Sequence, residues 1–222
     1  MATLIDNLRG TTFVVIDFEA LTPAGRPAEP TEVAALALVV RSGRLVEDGR
    51  FESLIQPPAD VPITARDLAR GMSEAALRHA SPAATVLARL DQHLVAPPYR
   101  LVAQHASAEA GLIARRREHC PTLGATPILD TLKLAKKVIR GMPSYGLDAL
   151  LRYYGMPPPR GRHRAMPDVE ATAEIFRRLL TDGAQAGRWS TLLDLDTTAG
   201  LQPKPTAPPD GAVQEELFDF NR

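Results

Sequence analysis

The 222-residue chain holds one cysteine, Cys120, and no excess charge of either sign, 26 Lys and Arg standing against 26 Asp and Glu. A lone thiol excludes an internal disulfide and any zinc cluster built on several cysteines, which fits a reducing compartment, and Cys120 is expected to serve packing. Zero net charge excludes a global field that would draw the protein onto nucleic acid, so any such contact must be local. No apolar run approaches the roughly 18 to 20 residues that a bilayer helix needs, and "MATLIDNLRG" lacks a basic segment followed by an apolar core. The expectation is a soluble, cytoplasmic protein. With 45% hydrophobic residues, the chain can build one sizeable core.

The strongest buried-strand signal is "TTFVVIDFEA", Thr11 to Ala20. Phe13, Val14, Val15 and Ile16 read as a strand covered on both faces. "TEVAALALVVRSGRLV" and "GRFESLIQP" read as two further strands joined at a Ser-Gly turn, an antiparallel meander. Beyond the prolines at 57, 58 and 62, helical text over 73–94 gives way to alternating elements: strand "RLVA", helix "SAEAGLIARRREHC", strand "TPILD", then helices "TLKLAKKVIR", "GLDALLRYYG" and "PDVEATAEIFRRLL". Val169, Ala173, Phe176 and Leu180 share one face of the last. The pattern predicts one mixed sheet with helices packed on it. Near Asp196 the composition turns rich in Pro, Gly, Thr and Ala, so a domain over residues 1–195 and a flexible tail over 196–222 are expected.

The strand ends in chemistry. Asp17 and Glu19 are two apart and point to one side; held together at a core edge they repel and lose hydration, a situation that a divalent cation relieves. The plain alternative is two solvated acids where the chain leaves the core. Glu109 stands in a first helical turn, on a face with Ile113, where an acid also complements the helix dipole. Asp168 starts a helix, where Asp is a common N-cap, and His163 lies five residues earlier in a basic loop with Arg160, Arg162 and Arg164. Two more basic groups, Arg115 to Arg117 and Lys133, Lys136, Lys137 and Arg140, read equally as solvated helix faces or as phosphate contacts.

A strand-borne Asp-x-Glu, a mid-chain helix acid and a late His-x-x-x-x-Asp, in that order, resemble the DEDDh family of 3′-to-5′ exonucleases, which includes the proofreading subunit of bacterial DNA polymerase III. The resemblance runs over about residues 11 to 182 through "FVVIDFEA", "TEVAALALV", "ILDTLKLA", "SYGLDALL" and "HRAMPDVEATAEIF". It implies an α/β, ribonuclease H-like fold with a five-stranded mixed sheet and helices on both faces. It also implies Asp17, Glu19, Glu109 and Asp168 as ligands of two Mg²⁺ or Mn²⁺ ions, His163 as general base, and Arg160, Arg162 and Arg164 beside the nucleic acid. The chain departs from the family where Glu109 and His105 stand in place of Asp and Asn. An alternative register puts Ala110 in the acid position. Ala20 and Leu21 replace the residues that relatives use near the terminal nucleotide.

The function implied is metal-dependent hydrolysis at the 3′ end of single-stranded DNA, in replication or repair, releasing nucleoside 5′-monophosphates. The alternatives are an exoribonuclease, or a catalytically weakened module that binds 3′ ends or replication proteins. In the tail, Gln214, Leu217 and Phe218 form Gln-x-x-Leu-Phe, which resembles peptides that dock onto the bacterial sliding clamp. A disordered end with incidental apolar residues is the plain reading.

Overall fold

The computed structural model describes residues 4–64, 67–68, 72–161 and 164–203. After a short helix α1 (Leu4–Asn7), strands β1 (Thr12–Leu21), β2 (Glu29–Arg41) and β3 (Arg44–Gln56) form the expected meander. β2 turns into β3 through Ser42 and Gly43, at φ 49° and 73°. Two consecutive left-handed residues make the turn whose twist matches a hairpin, and glycine takes the second without steric cost. Helix α2 (Glu74–Arg78), β4 (Ser81–Pro82) and helix α3 (Ala83–Gln92) lead into β5 (Tyr99–Ala103). Next come α4 (Ser107–Ala114), α5 (Pro121–Ala125), β6 (Ile128–Asp130) and α6 (Thr131–Val138). The chain continues through α7 (Leu147–Tyr153), α8 (Ala165–Gln185), α9 (Leu192–Ala199) and β7 (Gly200–Leu201).

The sheet order is β4-β3-β2-β1-β5-β6-β7. Its central five strands are those expected, with β1, β5 and β6 parallel to one another and β2 antiparallel to both β1 and β3. The count of seven arises because two-residue strands pair at each edge, β4 with the end of β3 and β7 with β6. Strands that short carry too few side chains to leave an alternating pattern in the sequence.

β1 is buried on both sides, and its alternation sorts the molecule into two layers. Phe13 and Val15 enter one apolar cluster with residues of α6, α7, α8 and α9. Val14, Ile16 and Phe18 enter the other with residues of α3, α4 and α5, where Cys120 is also packed. The Phe13 and Phe176 rings lie 5.3 Å apart, locking β1 to α8.

The expected boundary at residue 195 falls too early. Thr191 and Asp194 cap α9 reciprocally, Arg100 grips Asp196 through the Nε and Nη2 edge of its guanidinium at 2.8–3.2 Å, and β7 follows. Arg100 lies 96 residues from Asp196 in sequence, so composition alone reads the segment as linker. The helix expected over "SAEAGLIARRREHC" likewise stops at Ala114. Among the described residues no helix is long and apolar enough to cross a membrane.

Candidate metal centre and active-site edge

The parallel strands β1, β5 and β6 end at one edge of the sheet and deliver Asp17 and Glu19, Gln104 and His105, and Asp130 there. Asp17 and Glu19 follow Phe13 and Val15 in the alternation, so they point to the α8 side. From the Phe13–Phe176 contact, four strand residues lead about 13 Å forward to Asp17. Two helical turns lead about 12 Å back to Asp168. The two walks end together: Asp17, Glu19 and Asp168 each offer a carboxylate oxygen, and these atoms all lie within 4.8 Å of one another. Asp17 and Glu19 are half-buried and Asp168 is buried.

Glu109 is not in that group. It lies in the first turn of α4, 5% exposed, on the helix face that also buries Ile113, as its spacing predicts. Ala110, the rival in the alternative register, packs in the apolar cluster of the α4 layer. Burial pushes the Glu109 carboxyl up to about 7, the Asp130 charge adds to this, and a bond from its own backbone amide opposes it. Its Oε2 is buried and has no hydrogen-bond partner among the described residues. A buried carboxylate oxygen left in that state suits a cation or a proton.

Asp130 organises the neighbouring turn: its Oδ1 accepts from Leu132 N at 2.9 Å, capping α6, and from His105 N at 3.2 Å. His105 is exposed and sits at φ 65°, a left-handed conformation that asparagine tolerates better than most residues. Nothing in the sequence pattern around β6 marked Asp130, because an acid ahead of a helical run reads simply as a cap.

The expected basic residues fare unequally. His163 and Arg162 lie outside the described residues, as do Gln214, Leu217 and Phe218. Arg160 is exposed. Arg164 is engaged with protein: Nε and Nη2 donate to the two oxygens of Glu32 at 2.8 and 3.0 Å. Arg115 donates to the Ala28 carbonyl at 2.7 Å and Arg116 pairs with Glu29, so these two side chains dock on the start of β2. Lys133, Lys136, Lys137 and Arg140 are exposed on and just beyond α6.

The carboxylate trio fits hard, oxygen-loving divalent cations: three acids cannot all ionise at such spacing without an opposing charge. Comparison with known proteins agrees. The family model RNase_T, described as exonuclease, matches residues 14–176. A DNA polymerase III subunit epsilon from Aquifex aeolicus is 31% identical over 80% of this chain and 84% of its own length. A DNA polymerase III subunit epsilon-like protein from Rhodobacter capsulatus is 34% identical over 80% of this chain but only 24% of its own, so the chain spans about a quarter of that relative. Among solved structures, the nuclease domain of 3'hExo, a DEDDh family member bound to rAMP, superposes with a TM-score of 0.67 at 18% identity, covering 78% of this chain and 94% of that one. E. coli Exonuclease I in complex with a dT13 oligonucleotide gives 0.65 at 17% identity, covering 80% and 42%. These neighbours share the ribonuclease H-like fold. By the match over most of its length, the chain belongs to this exonuclease family.

Proposed function

We propose that the protein is a divalent-metal-dependent 3′-to-5′ exonuclease that removes nucleoside 5′-monophosphates from the 3′ end of single-stranded DNA. The observation that carries this reading is the convergence of Asp17, Glu19 and Asp168, from a strand and a distant helix, within 4.8 Å. These three residues would hold Mg²⁺ or Mn²⁺, with Glu109 as the fourth acid from the opposite layer. A pair of such ions, when bound, would supply charge shielding at the phosphate, an activated water and relief of charge on the leaving 3′ oxygen. His163 acts as the base that accepts the water's proton, a role supported by its place five residues before Asp168. Arg160, and on sequence Arg162, would supply positive charge for the nucleic acid.

The test uses 5′-labelled DNA and RNA oligonucleotides with Mg²⁺, Mn²⁺ or EDTA. Laddering from the 3′ end, abolished by EDTA and faster on DNA, is expected; intact substrate in both metals refutes the reading, and faster loss of RNA moves the substrate class. A second reading, a weakened module that holds 3′ ends, is favoured by the absence of Glu109 from the carboxylate group. In that case the protein retains the oligonucleotide in Mn²⁺ without shortening it.

The tail reading stands on sequence. Gln214, Leu217 and Phe218 would dock on a bacterial sliding clamp, two apolar anchors filling a pocket while Gln supplies directional hydrogen bonds. Deletion of residues 212–222 should leave cleavage of short oligonucleotides unchanged and remove clamp binding. Equal binding by the intact and shortened chains, or binding by neither, defeats it.

A further inference from the structure

Arg164 is the N-cap residue of α8, yet it offers no side-chain cap hydrogen bond, since a guanidinium has no acceptor for the exposed amides of a helix start. Its side chain crosses instead to β2, where Glu32 is 3% exposed and takes both guanidinium bonds, at 2.8 and 3.0 Å. A fork of this kind fixes orientation as well as distance, and a carboxylate so buried requires its partner. Two further links run from this pair into the metal centre. The Arg164 carbonyl accepts the Asp168 amide at 3.3 Å, closing the first turn of α8. Glu32 is the register partner of Glu19 across the β1–β2 ladder.

We propose that Arg164 is a positioning residue: through Glu32 it holds the start of α8 against β1 and β2, and so sets the Asp168 carboxylate beside Asp17 and Glu19. The inference rests on the metal-dependent reading above. Arg164 contributes a direction that the helix cannot supply alone. The Phe13–Phe176 contact anchors α8 two turns beyond Asp168, and Ala165 and Val169 pack its start by non-directional apolar contact. The fork between Arg164 and Glu32 adds a directional polar contact at that end. Glu52, 4.0 Å from the same guanidinium, lies on the outer side of the pair.

Three roles for Arg164 predict different signs. A positioning residue, when lost, weakens the cation site. A residue acting only as a fixed positive charge opposes cation binding, so its loss tightens the site. A phosphate contact leaves the site unchanged and raises KM. The experiment measures Mn²⁺ affinity by calorimetry and steady-state cleavage of a 5′-labelled DNA oligonucleotide for the full-length chain and the variants Arg164→Gln, Glu32→Gln and the double variant. Each single variant should weaken Mn²⁺ binding by about 10-fold or more, the effect of losing a residue that supports metal ligands. It should lower kcat with KM little changed. The double variant should be no worse than the poorer single, because one tether is lost either way. Arg164→Lys keeps the charge without the planar fork; it guards against a variant that fails to fold and should show the same weakening. Tighter Mn²⁺ binding in Arg164→Gln, or unchanged binding with a raised KM, overturns the proposal. Wild-type protein that binds no Mn²⁺ and leaves DNA intact overturns the metal-dependent reading and this inference with it.

Discussion

Asp168 and Glu109 are matched in most respects: each is an acid in the first turn of a helix, each is 5% exposed, and each is a residue that the family resemblance implies as a metal ligand. Only Asp168 meets the strand-borne pair. The difference is the side of the sheet. Asp168 comes from α8, which packs on the face of Phe13 and Val15 toward which Asp17 and Glu19 also point. Glu109 comes from α4, whose Ala110, Leu112 and Ile113 pack on the face of Val14 and Ile16. A side chain from that layer reaches a shared site only past the end of β1. The longer stem of Glu extends its reach, and burial in that layer is what pushes its carboxyl up to about 7. A first-turn acid is therefore defined less by its helix than by the layer to which that helix belongs.

Three measurements sharpen or break this comparison. The largest effect is expected at the trio: Asp168→Ala or Asp17→Ala should lower cleavage by about 10³-fold or more, since a divalent site contributes several kcal/mol to the transition state. A variant that stays folded and keeps near-normal turnover would remove the trio from the reaction.

Glu109→Gln tests the other member through stability in the absence of metal. The unfolded chain releases this proton near the ordinary value of 4.5, whereas burial makes the folded chain keep it to about 7. Stability is therefore lost as pH rises through that window, and the loss is complete above it. The Gln variant should be more stable than wild type at pH 8, by up to about 3 kcal/mol, and indistinguishable at pH 4, as urea denaturation at the two pH values would reveal. Equal stability at both pH values would mean that Glu109 ionises without penalty.

The smallest effect separates the two acids directly. Mn²⁺ at a hundredfold excess over its dissociation constant should stabilise the wild type by about 2.7 kcal/mol, visible as a raised melting temperature. The shift should vanish in Asp168→Asn and shrink in Glu109→Gln. A full shift in Glu109→Gln would place that residue outside the metal site.

The residues themselves announced a good deal of this. The unbroken apolar run into Asp17 and Glu19 encodes a doubly covered strand that ends in two acids on one side, because alternation along a strand is a local property. The Ser42-Gly43 turn and the face of α8 carrying Val169, Phe176 and Leu180 were legible for the same reason, each depending on neighbours within a few residues. Tertiary structure alone decided which acids meet, that Arg164 is paired with protein, and that the segment around Asp196 is part of the fold. Arg164 lies in a basic stretch that suits phosphate, yet it is held by Glu32, 132 residues away, and Asp196 opens apparent linker text but is bound by Arg100, 96 residues away. Such partners are chosen by how the sheet and its layers bring distant segments together. A carboxylate or guanidinium carries no local mark of whether its counter-charge will be protein, metal or nucleic acid.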